Sequence, residues 1–314
     1  MELTPVVPFE PVSAVQIPHG EQWIAQVKWD GVRVLTYYDG HSVRLYNRRQ
    51  HERTVQFPEF VEIRRFCTAS SIILDGEIIA FRRGKPSFHE VMKRDGIRQP
   101  EKVGHVRKAI PLVYMIFDVL YFNGEWIIGR TLEERQEILN RCIVPQEDVQ
   151  LVENFREAEI LFDVIKAQGL EGIVCKDISS RYTIKGKDGR WRKLKNYRDL
   201  VAVIGGATYR GNIINAVLLG LYDRDGQLWY IGHAGTGKLT RVEWRDLTER
   251  IKPLVSGECP FVNKPARVKN VTWVKPELTA KIRYIEWTEG HTLRQPSIQA
   301  FVEIPPAECI FEQS

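Results

Sequence analysis

Lys28-Trp29-Asp30-Gly31-Val32-Arg33 sits between two runs of strand-forming residues, 23–28 and 32–38, and the reading of the whole chain starts from it. Asp-Gly between such runs predicts a hairpin, because both residues tolerate the positive φ that a tight turn needs. The turn accounts for Asp30 and Gly31 but places no demand on Lys28 or Arg33. A lysine at a strand end is a candidate nucleophile: its free amine can attack an electrophilic centre and hold the product covalently.

The pattern continues outward. Asp39-Gly40 separates the second run from a third at 42–46, and further strands are expected at 71–81 and 111–121, the latter followed by Asn123-Gly124. Gly76, inside the 71–81 run, marks a bulge or a close approach of backbones. Thr131 and Glu134 form a capping box, and Asn154 is expected to open a helix that stops at Gly169. A strand at 172–176 and a basic segment complete an α+β region built on antiparallel sheet, residues 1–197. After Asn196 come short strands at 200–204, 216–222, 228–233 and 281–287, with a hairpin turn at Asp225-Gly226. One helix, capped by Thr240 and Glu243, reaches about residue 254. That content predicts a small OB-fold β-barrel over 198–304, with 305–314 as a tail.

The 314 residues suffice for two domains. With 43% apolar and 27% charged residues the chain reads as globular rather than disordered. No apolar run approaches the roughly 18 residues of a membrane span, and the first residues lack the basic-then-apolar order of a signal peptide. The five cysteines (67, 142, 175, 259 and 309) are odd in number and have no CxxC spacing. This argues against a disulfide framework or a zinc site and for a reducing compartment, so the expectation is a cytoplasmic protein away from membranes. The net charge of +5 says little, but between Arg181 and Arg198 there are eight Lys or Arg residues and one acid, Asp188. Such a run alone is more often a solvated face. Beside phosphate chemistry it reads as a phosphate-binding surface.

That chemistry has its parts in order along the chain. Leu74-Asp75-Gly76-Glu77 and Glu171-Gly172-Ile173-Val174-Cys175-Lys176 each bring a carboxylate to a strand. In Trp191-Arg192-Lys193-Leu194-Lys195 the alternation puts Lys193 and Lys195 on one face. Each motif alone is ordinary surface. Nucleotidyl transfer to a lysine needs them together: a nucleophile, acids for a divalent metal, and cations for the α-phosphate and the departing pyrophosphate.

On these motifs, with Val113–Asp118 (VYMIFD) and Leu293-Arg294-Gln295-Pro296-Ser297 added, the chain resembles the ATP-dependent DNA ligases. These belong to the lysine nucleotidyltransferases, with RNA ligases and capping enzymes. The likeness covers nearly the whole chain and is strongest to the ligase domain of bacterial end-joining ligase D, through LRQPS and the segment from Trp273 to Thr288. The resemblance implies an adenylyltransferase domain at 1–197 followed by the OB-fold domain. It implies ATP as donor, Mg²⁺ or Mn²⁺, and nicked or broken double-stranded DNA as substrate, acted on by a monomer near the bacterial nucleoid. A Ku-type end-binding protein and polymerase or nuclease domains are the implied partners.

Carried over residue by residue, the resemblance makes Lys28 the residue that holds AMP. Glu77 lies by the ribose and metal, Glu171 is a metal ligand, and Phe117 stacks on adenine. Lys193 and Lys195 bind the α-phosphate, and Arg294 orients pyrophosphate. Arg33 and Arg48 would contact phosphates of nucleotide or nick, and Arg181 and Lys185 would bind DNA. One position departs from the family pattern: Gln26 stands where a glutamate commonly accepts from the adenine amino group, and a glutamine carbonyl accepts more weakly. The alternatives are an RNA ligase or GTP-dependent capping-type enzyme, and a catalytically inactive nucleic-acid clamp; the intact Lys28, Glu77, Glu171, Lys193 and Lys195 speak against the clamp.

Overall fold

The computed structural model describes residues 3–235, 239–263, 265, 270–288 and 290–312. The chain divides into two compact units, Met1–Asn196 and Tyr197–Ser314. In the first unit the order is β1 (Val12–Ser13), β2 (Trp23–Val27), β3 (Val32–Tyr38), β4 (Val43–Asn47), β5 (Ile72–Arg82) and β6 (Lys85–Pro86). Two helices follow, α1 (Phe88–Asp95) and α2 (Pro100–Ala109), then β7 (Leu112–Phe122), β8 (Glu125–Trp126), α3 (Leu132–Cys142), β9 (Val149–Leu151), α4 (Ala158–Gln168), β10 (Gly172–Asp177) and β11 (Trp191–Lys195).

These strands form two sheets, β1-β11-β10-β2 and β4-β3-β5-β7-β8, the second with β6 and β9 added at its sides. Strand alternation decides what each face does. In the larger sheet Val34, Leu45, Leu74, Ile78, Tyr114 and Ile116 point into the main core with Phe57, Phe60 and Phe66. On its other face Leu35, Tyr37, Ile73 and Leu120 pack with Phe9, Tyr182 and Trp191 of the smaller sheet's side, so the two sheets meet there. The smaller sheet turns Ala25, Ile173, Cys175 and Leu194 toward Leu161 and Ile165 of α4.

The expected hairpin at Asp30-Gly31 does not exist. β2 pairs with β10, whereas β3 pairs with β4 and β5, so the chain crosses from one sheet to the other at the motif. The glycine is needed for closeness rather than for a turn: a Cβ at Gly31 would lie 2.1 Å from the Ile78 carbonyl oxygen. The other expected turns hold. Asp39-Gly40 joins β3 to β4, and Asn123-Gly124, both with positive φ, joins β7 to β8. The register slips between Asp75 and Gly76, the bulge expected there. The capping box of Thr131 and Glu134 starts α3. Asn154 does not open α4, which begins at Ala158, because Phe155 is first caught as a one-residue bridge on Ala25. Gly169 ends that helix in the left-handed conformation, φ 67°.

The second unit is the OB-fold domain, with β12 (Arg198–Arg210), β13 (Ile213–Tyr222), β14 (Leu228–Ala234), α5 (Arg241–Ile251), β15 (Val255–Ser256), β16 (Val271–Tyr284) and β17 (Ser297–Val302). The strand expected at 281–287 is the end of the long β16, which begins ten residues earlier. Pro276 is tolerated because it lies where the β12 pairing skips from Trp273 to Leu278. Residues 305–314 are not a free tail throughout: a short turn at Pro306–Glu308 leads to the fully buried Cys309, whose carbonyl accepts from Tyr222 N–H at 2.8 Å. No described helix is long and apolar enough to cross a membrane.

A buried ion pair ties the larger sheet of the first unit to α3. Asp118 on β7 and Arg135 on α3 are both fully buried and joined by two hydrogen bonds of 2.7 and 2.9 Å. Arg135 also donates to the carbonyl oxygens of Arg130 and Ser180. Removing one partner leaves a bare charge in the core, so Arg135→Leu should lower unfolding free energy by about 3–5 kcal/mol, read as a reduced urea midpoint of the intact chain. A change within experimental error would show the pair to be dispensable.

Candidate active site

The antiparallel order of the smaller sheet brings three chain ends to one edge. There β2 finishes, β10 begins and β11 finishes, which places Lys28, Glu171 and Lys195 side by side. The ladder continues through Lys28, whose N–H donates to the Gly172 carbonyl at 2.9 Å. Lys28 Nζ donates to Glu171 Oε2 at 2.5 Å, and Lys195 Nζ lies 3.1 Å from Glu171 Oε1. A single carboxylate, 8% exposed, thus holds two amines. Gly172 makes this approach possible, since a Cβ there would lie 2.1 Å from the Leu194 carbonyl oxygen.

The face of the smaller sheet turned away from α4 carries Gln26, Val174, Lys176, Trp191 and Lys193 in addition. Val174 pairs with both Gln26 and Lys193, and Lys176 pairs with Trp191. Val174 and Phe117 pack on the same aromatic cluster, which gives the cleft one aliphatic and one aromatic wall. Burial pushes the Lys193 amine down, and the neighbouring charges of Lys195 and Lys28 push it further. Glu77 enters from β5 opposite Arg33 and Met115. Burial raises its carboxyl to about 8, against the pull of Lys28 and Arg33 and with a push from Glu171. Among the described residues no three His, Cys, Asp or Glu side chains gather for a metal. Glu77 and Glu171, two hard oxygen donors whose charges oppose each other, are still a fitting pair for a Mg²⁺-type ion, which normally takes one or two carboxylates and completes its shell with water and substrate phosphate.

Arg33 is placed differently from the expectation of a phosphate contact. Its Nε and Nη2 donate to the buried Asp75 at 2.8 and 2.6 Å, and its Nη1 donates to the Phe9 carbonyl at 2.7 Å. Burial works against the guanidinium charge, but Asp75 more than offsets this and holds its pKa above the ordinary arginine value. Three of its five N–H groups are thus bound within the scaffold. Arg48, Arg181 and Lys185 are exposed. Arg294 belongs to the second unit, where its Nη1 donates to Glu286 Oε1 at 2.7 Å. Gln26 is 2% exposed.

Several residues without an assigned role in the sequence are central here. Asp75 lies within a quoted motif and carries the Arg33 pair and the Tyr182 hydroxyl at 3.0 Å; a carboxylate inside an apolar strand was its signal. Gln136 and Asn154 reach Phe117 and Gln26 by hydrogen bonds that no spacing rule predicts. Lys176, the last residue of EGIVCK, is 2% exposed and its Nζ has no hydrogen-bond partner among the described residues. It sits 4.0 Å from the ring centre of Trp191 and 4.3 Å from that of Phe117.

A lysine set among acids and cations on antiparallel sheet, in a chain that continues into an OB-fold, is the layout of a nucleotidyltransferase. The model of the ATP dependent DNA ligase domain matches residues 7–195, and that of the ATP dependent DNA ligase C terminal region matches 210–302. The chain belongs to the ATP-dependent DNA ligase family. It is 31% identical over 290 residues to the multifunctional non-homologous end joining DNA repair protein LigD of Mycobacterium tuberculosis, covering 88% of this chain and 35% of that protein. It is 32% identical to a DNA ligase of Archaeoglobus fulgidus, covering 88% of this chain and 51% of the relative. The chain thus spans about a third to a half of these relatives' lengths. Among solved structures, the ligase domain of M. tuberculosis LigD matches with a TM-score of 0.53 at 27% identity, covering 98% of both chains. A mycobacterial DNA ligase D complexed with ATP and MES matches with a TM-score of 0.54 at 28% identity, covering 97% of this chain and 98% of that one.

The unpartnered Lys176 has a measurable consequence. Burial pushes its amine down to about 7, opposed by Asp118 and Asp75. Between that value and the ordinary lysine range the unfolded chain binds a proton that the folded chain does not, so this residue makes stability rise with pH across that window. Wild type should gain stability relative to Lys176→Met as pH goes from 7 to 10, with the variant the more stable of the two at pH 7. Parallel pH profiles of melting temperature for the two proteins would show that the amine is solvated.

Proposed function

We propose that the chain seals breaks in DNA through AMP carried on Lys28. The observation that supports this most is the shared Glu171 carboxylate, which holds Lys28 and Lys195 together at one sheet edge. The Lys28 amine attacks the α-phosphorus of ATP, forming a P–N bond as pyrophosphate leaves. The AMP then passes to a 5′-phosphate, restoring the amine, and attack by a 3′-hydroxyl joins the strands and releases AMP. Lys193 and Lys195 neutralise the α-phosphate while its charge builds. Phe117 and Val174 hold the base, with Gln26 at its edge. Glu77 and Glu171 are the residues that would hold Mg²⁺ or Mn²⁺, whose role is to draw charge from the phosphates. Arg294, carried by the OB-fold domain, is assigned to the pyrophosphate, on the domain limits 1–197 and 198–304. Arg48, Arg181 and Lys185 are assigned to the DNA backbone; Arg33, with three of its five N–H groups bound to protein, has two left for a phosphate of nucleotide or nick.

The similarity to LigD proteins favours a role in bacterial end joining, at the nucleoid, alongside a Ku-type protein and polymerase or nuclease domains. An enzyme restored to wild-type sealing of blunt ends by added end-binding protein is the outcome that reading requires.

Lys28→Ala should take no label from α-labelled ATP, a loss beyond about a thousandfold, yet still seal a nick that already carries 5′-AMP, since that step needs no carrier. Equal labelling of the two proteins removes Lys28 from the chemistry. Changing Arg181 and Lys185 together to Ala should weaken binding of nicked duplex without sequence preference. It should also reduce the slope of log affinity against log salt by roughly 2, one phosphate each. An unchanged slope returns these residues to a solvated face.

A further inference from the structure

We infer that Asn154 and Gln136 fix the polarity of Gln26, so that its side chain presents only its carbonyl oxygen to the base and selects a 6-amino purine over a 6-oxo one. This rests on the reading above that the base lies between Phe117 and Val174 with Gln26 at its edge.

The polarity originates in a group that cannot change its sense. A main-chain carbonyl only accepts, and the Phe117 carbonyl accepts from Gln136 Nε2 at 2.7 Å. Gln136 therefore turns its own oxygen toward Asn154, whose Nδ2 donates to it at 3.3 Å. With its nitrogen used in that direction, Asn154 turns Oδ1 toward Gln26, whose Nε2 donates to it at 2.7 Å. The Gln26 carbonyl is left as the end pointing away from the relay, and among the described residues no donor to it is found. Rotating Asn154 by half a turn would face oxygen against oxygen at Gln136 and nitrogen against nitrogen at Gln26. Rotating Gln26 would face oxygen against oxygen at Asn154. Each flip breaks bonds to amides that are 2% and 9% exposed, where unmet polar groups are costly.

An isolated glutamine amide is ambiguous, because it meets an amino group with one end and an oxo group with the other. The relay removes that ambiguity without a carboxylate. Position supports the assignment: Gln26 is two residues from Lys28 along β2 and directly opposite Val174 on β10. Asn154 itself is exposed, so its side chain can be changed without opening the core.

The test uses the full chain loaded separately with ATP or with inosine triphosphate, which carries an oxo group at the 6-position, and follows the Lys28 adduct by intact-protein mass. Asn154→Ala should lower the ATP/ITP ratio of kcat/KM for loading by roughly tenfold, chiefly through KM for ATP. Asn154→Asp still accepts from Gln26 although it loses the bond donated to Gln136, so its ATP/ITP ratio should stay near wild type even if the chain is less stable. Gln26→Glu placed in the Asn154→Ala background should restore the preference, since a carboxylate accepts whichever way it turns. An unchanged ratio in Asn154→Ala, or failure of Gln26→Glu to restore it, overturns the relay. Gln26→Leu separates the two levels of the argument. If it lowers the ratio while Asn154→Ala does not, Gln26 reads the base unaided and only the relay falls. If Gln26→Leu leaves the ratio unchanged, the placement of the base at Gln26 falls as well.

Discussion

The guanidinium of Arg33 touches both sheets of the first unit, and the cleft is built around it. From β3 it binds Asp75 on β5 and the main chain of Phe9. It lies 5.2 Å from the ring centre of Phe117 on β7 and 5.9 Å from that of Trp191 on β11. A buried charge is tolerable only when it is paired and its donors are used, and Asp75 supplies the pairing with Tyr182 completing its shell. The same Tyr182 hydroxyl accepts from Phe9 N–H at 2.8 Å, so one network joins the N-terminal segment, both sheets and the segment before β11. The position of Phe117 follows from these contacts.

Around that neutralised centre the cleft carries unbalanced charge. Lys28, Lys193 and Lys195 meet Glu171 and Glu77, and the disturbance is visible in both signs: the Lys193 amine is pushed down and the Glu77 carboxyl up. A polyphosphate with its divalent ion would relieve both at once, the phosphates favouring the charged amines and the ion favouring the charged carboxylate. The groups lie on strands or directly beside their ends rather than on long loops, so little reorganisation accompanies that relief. Lys176 differs from them. It faces aromatic rings and the buried Asp118 and Asp75, and its amine stays where burial disfavours charge.

Much of this was readable in the sequence, for reasons that are local. Turns such as Asn123-Gly124 and capping boxes such as Thr131 with Glu134 depend on backbone geometry within four residues, and they appear where the spacing puts them. Lys28, Glu171 and Lys195 come together because their motifs lie on neighbouring strands of one sheet. What failed was long-range. Asp30-Gly31 has the composition of a hairpin, but pairing with β10 won the preceding strand for the other sheet. Asn154 has the composition of a helix cap, but its side chain serves Gln26, 128 residues away in sequence. The helices α1 and α2 were missed although Ser87 caps the first and Pro100 opens the second, because their apolar positions are sparse. Arg33 was read as a phosphate contact, and a conspicuous arginine says nothing about whether an aspartate, here Asp75, waits on the neighbouring strand to take part of its donors.

Pairing at the edge of the smaller sheet also explains why the chemistry is on strands. The distance from Lys28 to Glu171 is set by the ladder that carries the Lys28 N–H to the Gly172 carbonyl, and the distance from Glu171 to Lys195 by the next pair of the same sheet. Neither depends on the soft torsions of a long loop. In the proposed reaction, holding the reacting groups within a few tenths of an ångström is worth more than any single added contact, because transfer at phosphorus rests largely on positioning and charge. The constraint falls on the one residue that lets the strands come this close. Gly172 has a φ of 150° and leaves no room for a Cβ against Leu194, so a side chain there would push β10 from β11 and separate Glu171 from both lysines together. The geometry around Lys28 is in this sense a property of the backbone, with the side chain fitted to it.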